Sequence, residues 1–329
     1  MATEEYGKED ENWFQKALNL SPRLRHQRSG SGSSNQSGKR RSWLRPIPES
    51  LHKEPQLPKP AMASKTFLIT GAGRGIGRGL SRLLLQKGHR VILVDYNQKE
   101  LYHTADKLGQ TFRDGHDFAA IECDLRDPQH IKGAAEAARR MFSGNLDCLI
   151  NNAANTSGVG GSHLSELSLE DWNASIETNL TAPMLMSQAC LSMLQSQGSR
   201  SAGGSIINMS STRAKMSEPN NEPYSATKAG LLGLTQSMAV SLGGLSIRVN
   251  AILPGWINVS NENKDADEEG QSWEEGLNKN DHEWHLTGRV GKVEDVLRAV
   301  EYLVESEFVT GEELVVDGGV TKKMVYPED

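Results

Sequence analysis

The chain has 329 residues, 36% of them hydrophobic, and a net charge of -6, which is length enough for one large domain or two small ones. Its mild acidity gives no reason to expect a general nucleic-acid binder, and no run approaches the roughly 18 to 20 consecutive apolar residues of a membrane span. Cys123, Cys148 and Cys190 show no CxxC spacing and fit reduced core thiols of an intracellular protein better than a disulfide framework or a metal site.

Residues 1–61 are poor in aliphatic residues. They carry a Ser/Gly tract from Ser29 to Gly38, a basic cluster at Lys39, Arg40, Arg41 and Arg45, and then Pro46, Pro48, Pro55, Pro58 and Pro60. Such a segment buries too little apolar surface to offset its ordering entropy, so a disordered tail is predicted. Its basic cluster suits a nuclear-import patch or a solvated linker, the second being the plainer reading. The first residues lack the basic and apolar regions of a secretory signal, and their acids argue against a mitochondrial presequence. A cytoplasmic location is expected, with nuclear or organellar targeting by the tail left open.

From Lys65 the pattern changes to short apolar runs alternating with longer amphipathic ones. Phe67 to Ile69 reads as a buried strand, and Ile76 to Lys87 as a helix with Leu80, Leu83 and Leu84 on one face and Gly88 closing it. Further strands are predicted at Arg90–Asp95, Phe118–Cys123, Leu146–Asn151, Ser205–Met209, Ile247–Ile252 and Leu314–Val316. Strands apolar on both faces and separated by helices mean a parallel sheet covered on both sides. A single doubly wound α/β domain of Rossmann type over 62–329 follows, with a cofactor half at about 62–155 and a catalytic and substrate half at about 156–329. The acidic stretch from Asn261 to Glu283 reads as an excursion from the sheet, part of a lid at about 256–290 whose carboxylates face water. His282 and His285 on it read as surface residues.

Gly71, Gly75 and Gly77 fall between the first strand and the first helix, where residues without Cβ let backbone approach a pyrophosphate at the helix N-terminus. Asp95 ends the second strand and can accept hydrogen bonds from the ribose hydroxyls of NAD while repelling the extra phosphate of NADP. Arg74 pulls the other way, since a guanidinium could pair with that phosphate. NAD is expected, with NADP possible. Asp124 and Leu125 follow the third strand and could meet the adenine. Asn151 and Ala153 lie at the end of the fourth, where Asn151 could face the ligand or tie strand ends together. Near the other end of the chain, Tyr224 and Lys228 share a helix face, so the lysine can hold charge near the phenol and lower its pKa for proton transfer.

Together these residues resemble the short-chain dehydrogenase/reductase family over essentially all of 62–329. The match rests on the order of Thr70-Gly71-Ala72-Gly73-Arg74-Gly75-Ile76-Gly77, Asn151-Asn152-Ala153, Asn179, Asn208-Met209-Ser210-Ser211, Tyr224 with Lys228, Pro254-Gly255 and Asp317-Gly318-Gly319. The resemblance implies Tyr224 as acid/base, Lys228 as the group that lowers its pKa and holds the nicotinamide ribose, and Ser211 as the ligand of the substrate oxygen. It implies Asn179 as anchor of a water chain to Lys228, and Pro254, Gly255 and Ile257 as lining of the nicotinamide site. Where the family often has a threonine after the Pro-Gly pair, this chain has Val259 followed by Ser260. The substrate is expected to be a small secondary alcohol or its ketone, of sugar, polyol or 3-oxoacyl type, with no metal required. A homodimer or homotetramer is implied, through the helices carrying Asn179 and Tyr224 and the last strand, with Met184, Leu185, Leu231 and Leu234 suiting either that interface or a core. The competing expectation is a dinucleotide-binding sensor or scaffold that turns nothing over.

Overall fold

In a computed structural model, residues 63–195 and 203–324 are described. The tail predicted over 1–61 lies outside them. The core is a seven-stranded sheet whose neighbours are all parallel: β1 Thr66–Thr70, β2 Arg90–Asp95, β3 Phe118–Glu122, β4 Cys148–Asn151, β5 Ser205–Met209, β6 Arg248–Pro254 and β7 Glu313–Val316, in spatial order 3-2-1-4-5-6-7. The doubly wound sheet expected from the sequence is present.

Alternation along the strands distributes side chains to two layers. Phe67 and Ile69 face one layer with α1 (Gly75–Gln86), α2 (Gln98–Gly109) and α9 (Val293–Glu305), whereas Leu68, Ile92 and Leu149 face the other with α3 (Pro128–Met141), α5 (Ala182–Leu194) and α6 (Glu222–Leu242). Each large aliphatic side chain so covered contributes about 1.5–3 kcal/mol. All three cysteines are buried and free, and desolvation pushes the Cys123 and Cys190 thiols up to about 12. Leu231 belongs to the interior, while Met184 is exposed.

A short helix α4 (Leu169–Ile176) runs directly into a π-helical turn, Glu177–Thr181, before α5. The acidic excursion after β6 holds two further short helices, α7 (Lys264–Glu269) and α8 (Lys279–Glu283), each started by an asparagine whose side chain accepts from the first turn, Asn263 and Asn278. Its acids do not all face water as expected. Glu262 is 4% exposed and pairs with Arg82 of α1 at 2.5 Å, and Asp267 meets Arg78 at 2.6 Å and His103 of α2 at 2.8 Å. Burial pushes the Asp267 carboxyl up, but hydrogen bonds from His103 and Arg78 outweigh it and hold the group below its ordinary value. His285 also departs from expectation: it is buried against Trp256 and Trp284, with ring centroids at 6.1 and 5.2 Å. Among the described residues no helix is long and apolar enough to cross a membrane.

Candidate active site

Every strand ends its carboxyl terminus on one edge of the sheet, and there the chain turns from β1 into α1. Gly71 has φ +66, and a Cβ on it would lie 2.7 Å from Ala153 Cα. A Cβ on Gly77 would lie 2.1 Å from the Gly71 carbonyl oxygen, so the turn closes only without side chains at both positions. Residues beyond the glycines hold it. Thr70 Oγ1 accepts from the backbone N–H groups of Asn152 and Ala153, each at 3.0 Å, and Asn152 Nδ2 donates to the carbonyls of Thr70 at 2.9 Å and Gly71 at 3.2 Å. Thr70 and Asn152 were not singled out from sequence, although both stand inside the motifs that were.

Asp95 is 7% exposed and bends back onto this turn, Oδ2 accepting from the Gly73 N–H and Oδ1 from the Asn97 N–H, both at 2.9 Å. Thr104 of α2 locks the other side of Gly73 by donating to its carbonyl at 2.8 Å. A carboxylate has about four acceptor positions, so each Asp95 oxygen keeps one for a ribose hydroxyl. Arg74 is exposed at the head of α1, Ile76 is half-buried behind it, and the Gly75 N–H donates to the Glu262 carbonyl at 2.7 Å. A side chain-free cradle at a helix N-terminus with a fixed carboxylate beside it fits the phosphates and ribose of a dinucleotide.

The Leu125 side chain packs in the core, and the Asp124 carboxylate is gripped by Arg126, which donates at 3.1 Å through Nε and 2.8 Å through Nη2 and holds the acid below its usual range. Asn151 takes the strand-tying role: its Nδ2 lies within hydrogen-bond distance of Asn208 Oδ1, Ser187 Oγ and the Pro183 carbonyl, at 2.9, 3.2 and 3.4 Å. Pro254 ends β6, and Gly255 fits because a Cβ there would come 2.7 Å from Asp317 Cβ. Ile257 turns inward to the core beside Gly291, while Val259 stands against Gly75.

Four strands away from β3, β5 delivers the two serines, and their partners separate them. Ser210 Oγ donates to the Lys228 carbonyl at 2.7 Å. Ser211 Oγ instead caps the turn Thr212–Ala214, accepting from the Arg213 N–H at 3.1 Å, and its hydroxyl favours the ionised form of the Tyr224 phenol. One helical turn beyond the tyrosine, Lys228 is 2% exposed, its Nζ 5.4 Å from the Tyr224 ring centroid and donating to the Met209 carbonyl at 2.7 Å. The Asn179 side chain, in the π-helical turn, is engaged by the Asn155 backbone (2.6 and 3.1 Å) and by Thr227 Oγ1 (3.2 Å), so its link to α6 runs through the residue before Lys228.

Ionisation departs from the sequence expectation. Burial pushes the Tyr224 phenol above its ordinary value, against the opposing pull of the Ser211 hydroxyl and of the positive charge on Arg213. Arg213, which the sequence reading does not name, adds a positive charge that lowers this phenol. Burial also depresses Lys228 itself to about 8, which leaves its ammonium a narrow margin at neutral pH.

Comparison with known proteins fits this arrangement. A family model described as Enoyl-(Acyl carrier protein) reductase matches residues 71–321, and an uncharacterized oxidoreductase of Thermotoga maritima is 36% identical over 270 residues, 81% of this chain and 100% of that protein. The chain belongs to the short-chain dehydrogenase/reductase family. As a member of that family it is an NAD(P)-dependent oxidoreductase acting on CH–OH. A 3-oxoacyl-[acyl-carrier-protein] reductase of Mus musculus is 32% identical over 78% of this chain and 98% of its own length. Among solved structures, a 3-ketoacyl-(acyl-carrier-protein) reductase from Brucella melitensis complexed with NADH is similar, with a TM-score of 0.65, 26% identity and coverage of 78% of this chain and 98% of that one.

Proposed function

We propose that this dehydrogenase/reductase interconverts a secondary alcohol and its ketone, with Tyr224 as acid/base, Ser211 as ligand of the reacting oxygen and Lys228 as support for both. The reading is carried by Lys228 Nζ 5.4 Å from the Tyr224 ring centroid, with Ser211 just beyond the carboxyl end of β5, on the same sheet edge as the glycine cradle. When bound, the nicotinamide supplies or accepts the hydride. Gly71, Gly75 and Gly77 would receive the pyrophosphate and Asp95 the ribose, which favours NAD over NADP. In reduction, Ser211 and Tyr224 hold the carbonyl oxygen with donors already in place, and Tyr224 gives up its proton as the alkoxide develops. In oxidation, Tyr224 removes the hydroxyl proton. Because burial raises the phenol, the oxidative direction gains from alkaline pH and the reductive one from neutral or lower pH.

The catalytic domain is proposed to comprise residues 62–329, assembled as a homodimer or homotetramer. Turnover of an alcohol and ketone panel, followed by nicotinamide absorbance with each cofactor, tests the reading. A protein that binds the dinucleotide yet turns over none of the panel would be a sensor or scaffold. Asp95→Ala is expected to erode the preference for NAD, and an unchanged ratio would show that Asp95 does not set it.

A further inference from the structure

We propose that Arg213 selects the substrate of this site, and that the substrate is an anionic hydroxy or oxo compound carrying a carboxylate a few bonds from the reacting carbon. This rests on the oxidoreductase reading above and deepens it. Arg213 sits two residues beyond Ser211 on the turn Thr212–Ala214, and its N–H is bonded to the very hydroxyl proposed to hold the substrate oxygen. Its guanidinium is only partly matched. One edge pairs with Glu218 through Nη2, while Nε is buried and has no acceptor among the described residues. A buried charged donor lacking an acceptor is costly, and a carboxylate is the planar acceptor that a guanidinium edge fits.

The surrounding charges point the same way. Glu218 is 56% exposed against 34% for Arg213, so the counter-charge stands on the rim and can yield the guanidinium to an incoming anion. The ionisable groups on α6 are Glu222 in its first turn, whose Oε2 is buried without a hydrogen-bond partner among the described residues, Tyr224 and Lys228. Glu262 and Asp267 of the excursion are turned to Arg78 and Arg82, away from this site. Lys215, the next cation on the turn, is held by Glu313 at 2.5 Å. One guanidinium already shared with Glu218 suits a single further negative charge, not a phosphate dianion. With the carboxylate fixed by Arg213 and the hydroxyl by Ser211 and Tyr224, the carbinol carbon is held at two points. Oxidation then removes a hydride from that carbon to NAD and the hydroxyl proton to Tyr224, and the carboxylate is unchanged.

The test uses the full chain with NAD and matched pairs of 2-, 3- and 4-hydroxy acids and their methyl esters, which differ in charge at nearly constant shape. At least one acid is expected to exceed its ester in kcat/KM by about 10- to 100-fold, the worth of one charged hydrogen-bonded pair. Arg213→Gln is expected to remove that advantage by lowering kcat/KM for the acid about 10-fold or more beyond any loss on the ester, and to move the pH profile of ester oxidation to higher pH as the positive charge is lost. Arg213→Lys, which keeps the charge, is expected to retain part of the advantage, and Glu218→Gln to lower KM for the acid. Equal losses on acid and ester with an unmoved pH profile would mean a structural clamp and overturn the proposal. Turnover of esters alone overturns it while leaving the oxidoreductase reading intact, whereas turnover of neither series nor of the wider panel overturns both.

Discussion

The two ends of the sheet's carboxyl edge are built on different principles. At β1 and β2 the glycine cradle is fixed by close approach and backbone-directed hydrogen bonds: Gly77 against the Gly71 carbonyl, Thr70 Oγ1 beneath two N–H groups, Asp95 locked to Gly73. At β5 and α6 the groups are ionisable and buried, and burial sets the Tyr224 and Lys228 pKa values more than any neighbour does. Shape therefore governs the first end and protonation the second. Changes at the cradle should act on affinity and stability at every pH, and changes at the phenol on rate and on pH dependence.

The largest effect that would sharpen this contrast is expected from Tyr224→Phe. Loss of the proton carrier should lower kcat by about a thousandfold with dinucleotide affinity unchanged in a fluorescence titration, and a parallel loss of affinity would mean that the two ends are not separable. Next comes Glu262→Gln, which breaks a nearly fully buried charge away from Arg78 and Arg82. About 3 kcal/mol of stability should be lost in urea unfolding, and a change below about 0.5 kcal/mol would show the excursion to be loosely held. Thr70→Val keeps the shape but strands the Asn152 and Ala153 N–H groups, so about 1–3 kcal/mol is expected, together with weaker dinucleotide binding and no change in pH profile.

A further effect is read in pH. Folded Lys228 binds its proton less tightly, at about 8, than its ordinary value of 10.5, so the unfolded chain holds more protons between those values. Stability from this group accordingly rises as pH climbs from about 8 to 10.5. Lys228→Met should lack that rise, and identical pH–stability curves for the two proteins would contradict a buried, depressed lysine.

Shape was also the more readable property in the sequence. All seven strands could be read from their apolar runs, which burial on both faces demands of the five inner ones, and the glycines declared the cradle because few other residues fit. The difficulties arose where a partner is distant. Arg78 and Asp267 stand 189 positions apart, and nothing local in either announces the other. The excursion's helices are short and polar, with asparagine caps in place of an apolar face, so they read as loop. His285 gives no sign in sequence of the two tryptophans that cover it. For Tyr224, the i,i+4 spacing put Lys228 beside the ring, but spacing carries no measure of desolvation, and desolvation is the larger influence.

The strand order has a consequence for biosynthesis. β1 lies inside the sheet between β2 and β4, and its pairing with β4 joins Phe67 to Cys148. While the chain emerges from the ribosome, β1, β2 and β3 can assemble early, but β1 keeps one open flank until the fourth strand is translated. Such long-range parallel pairing is slow, and a nascent fragment ending before Leu146 would display an unsatisfied apolar edge. The cradle, which needs Asn152 and Ala153, is completed only after that edge has closed.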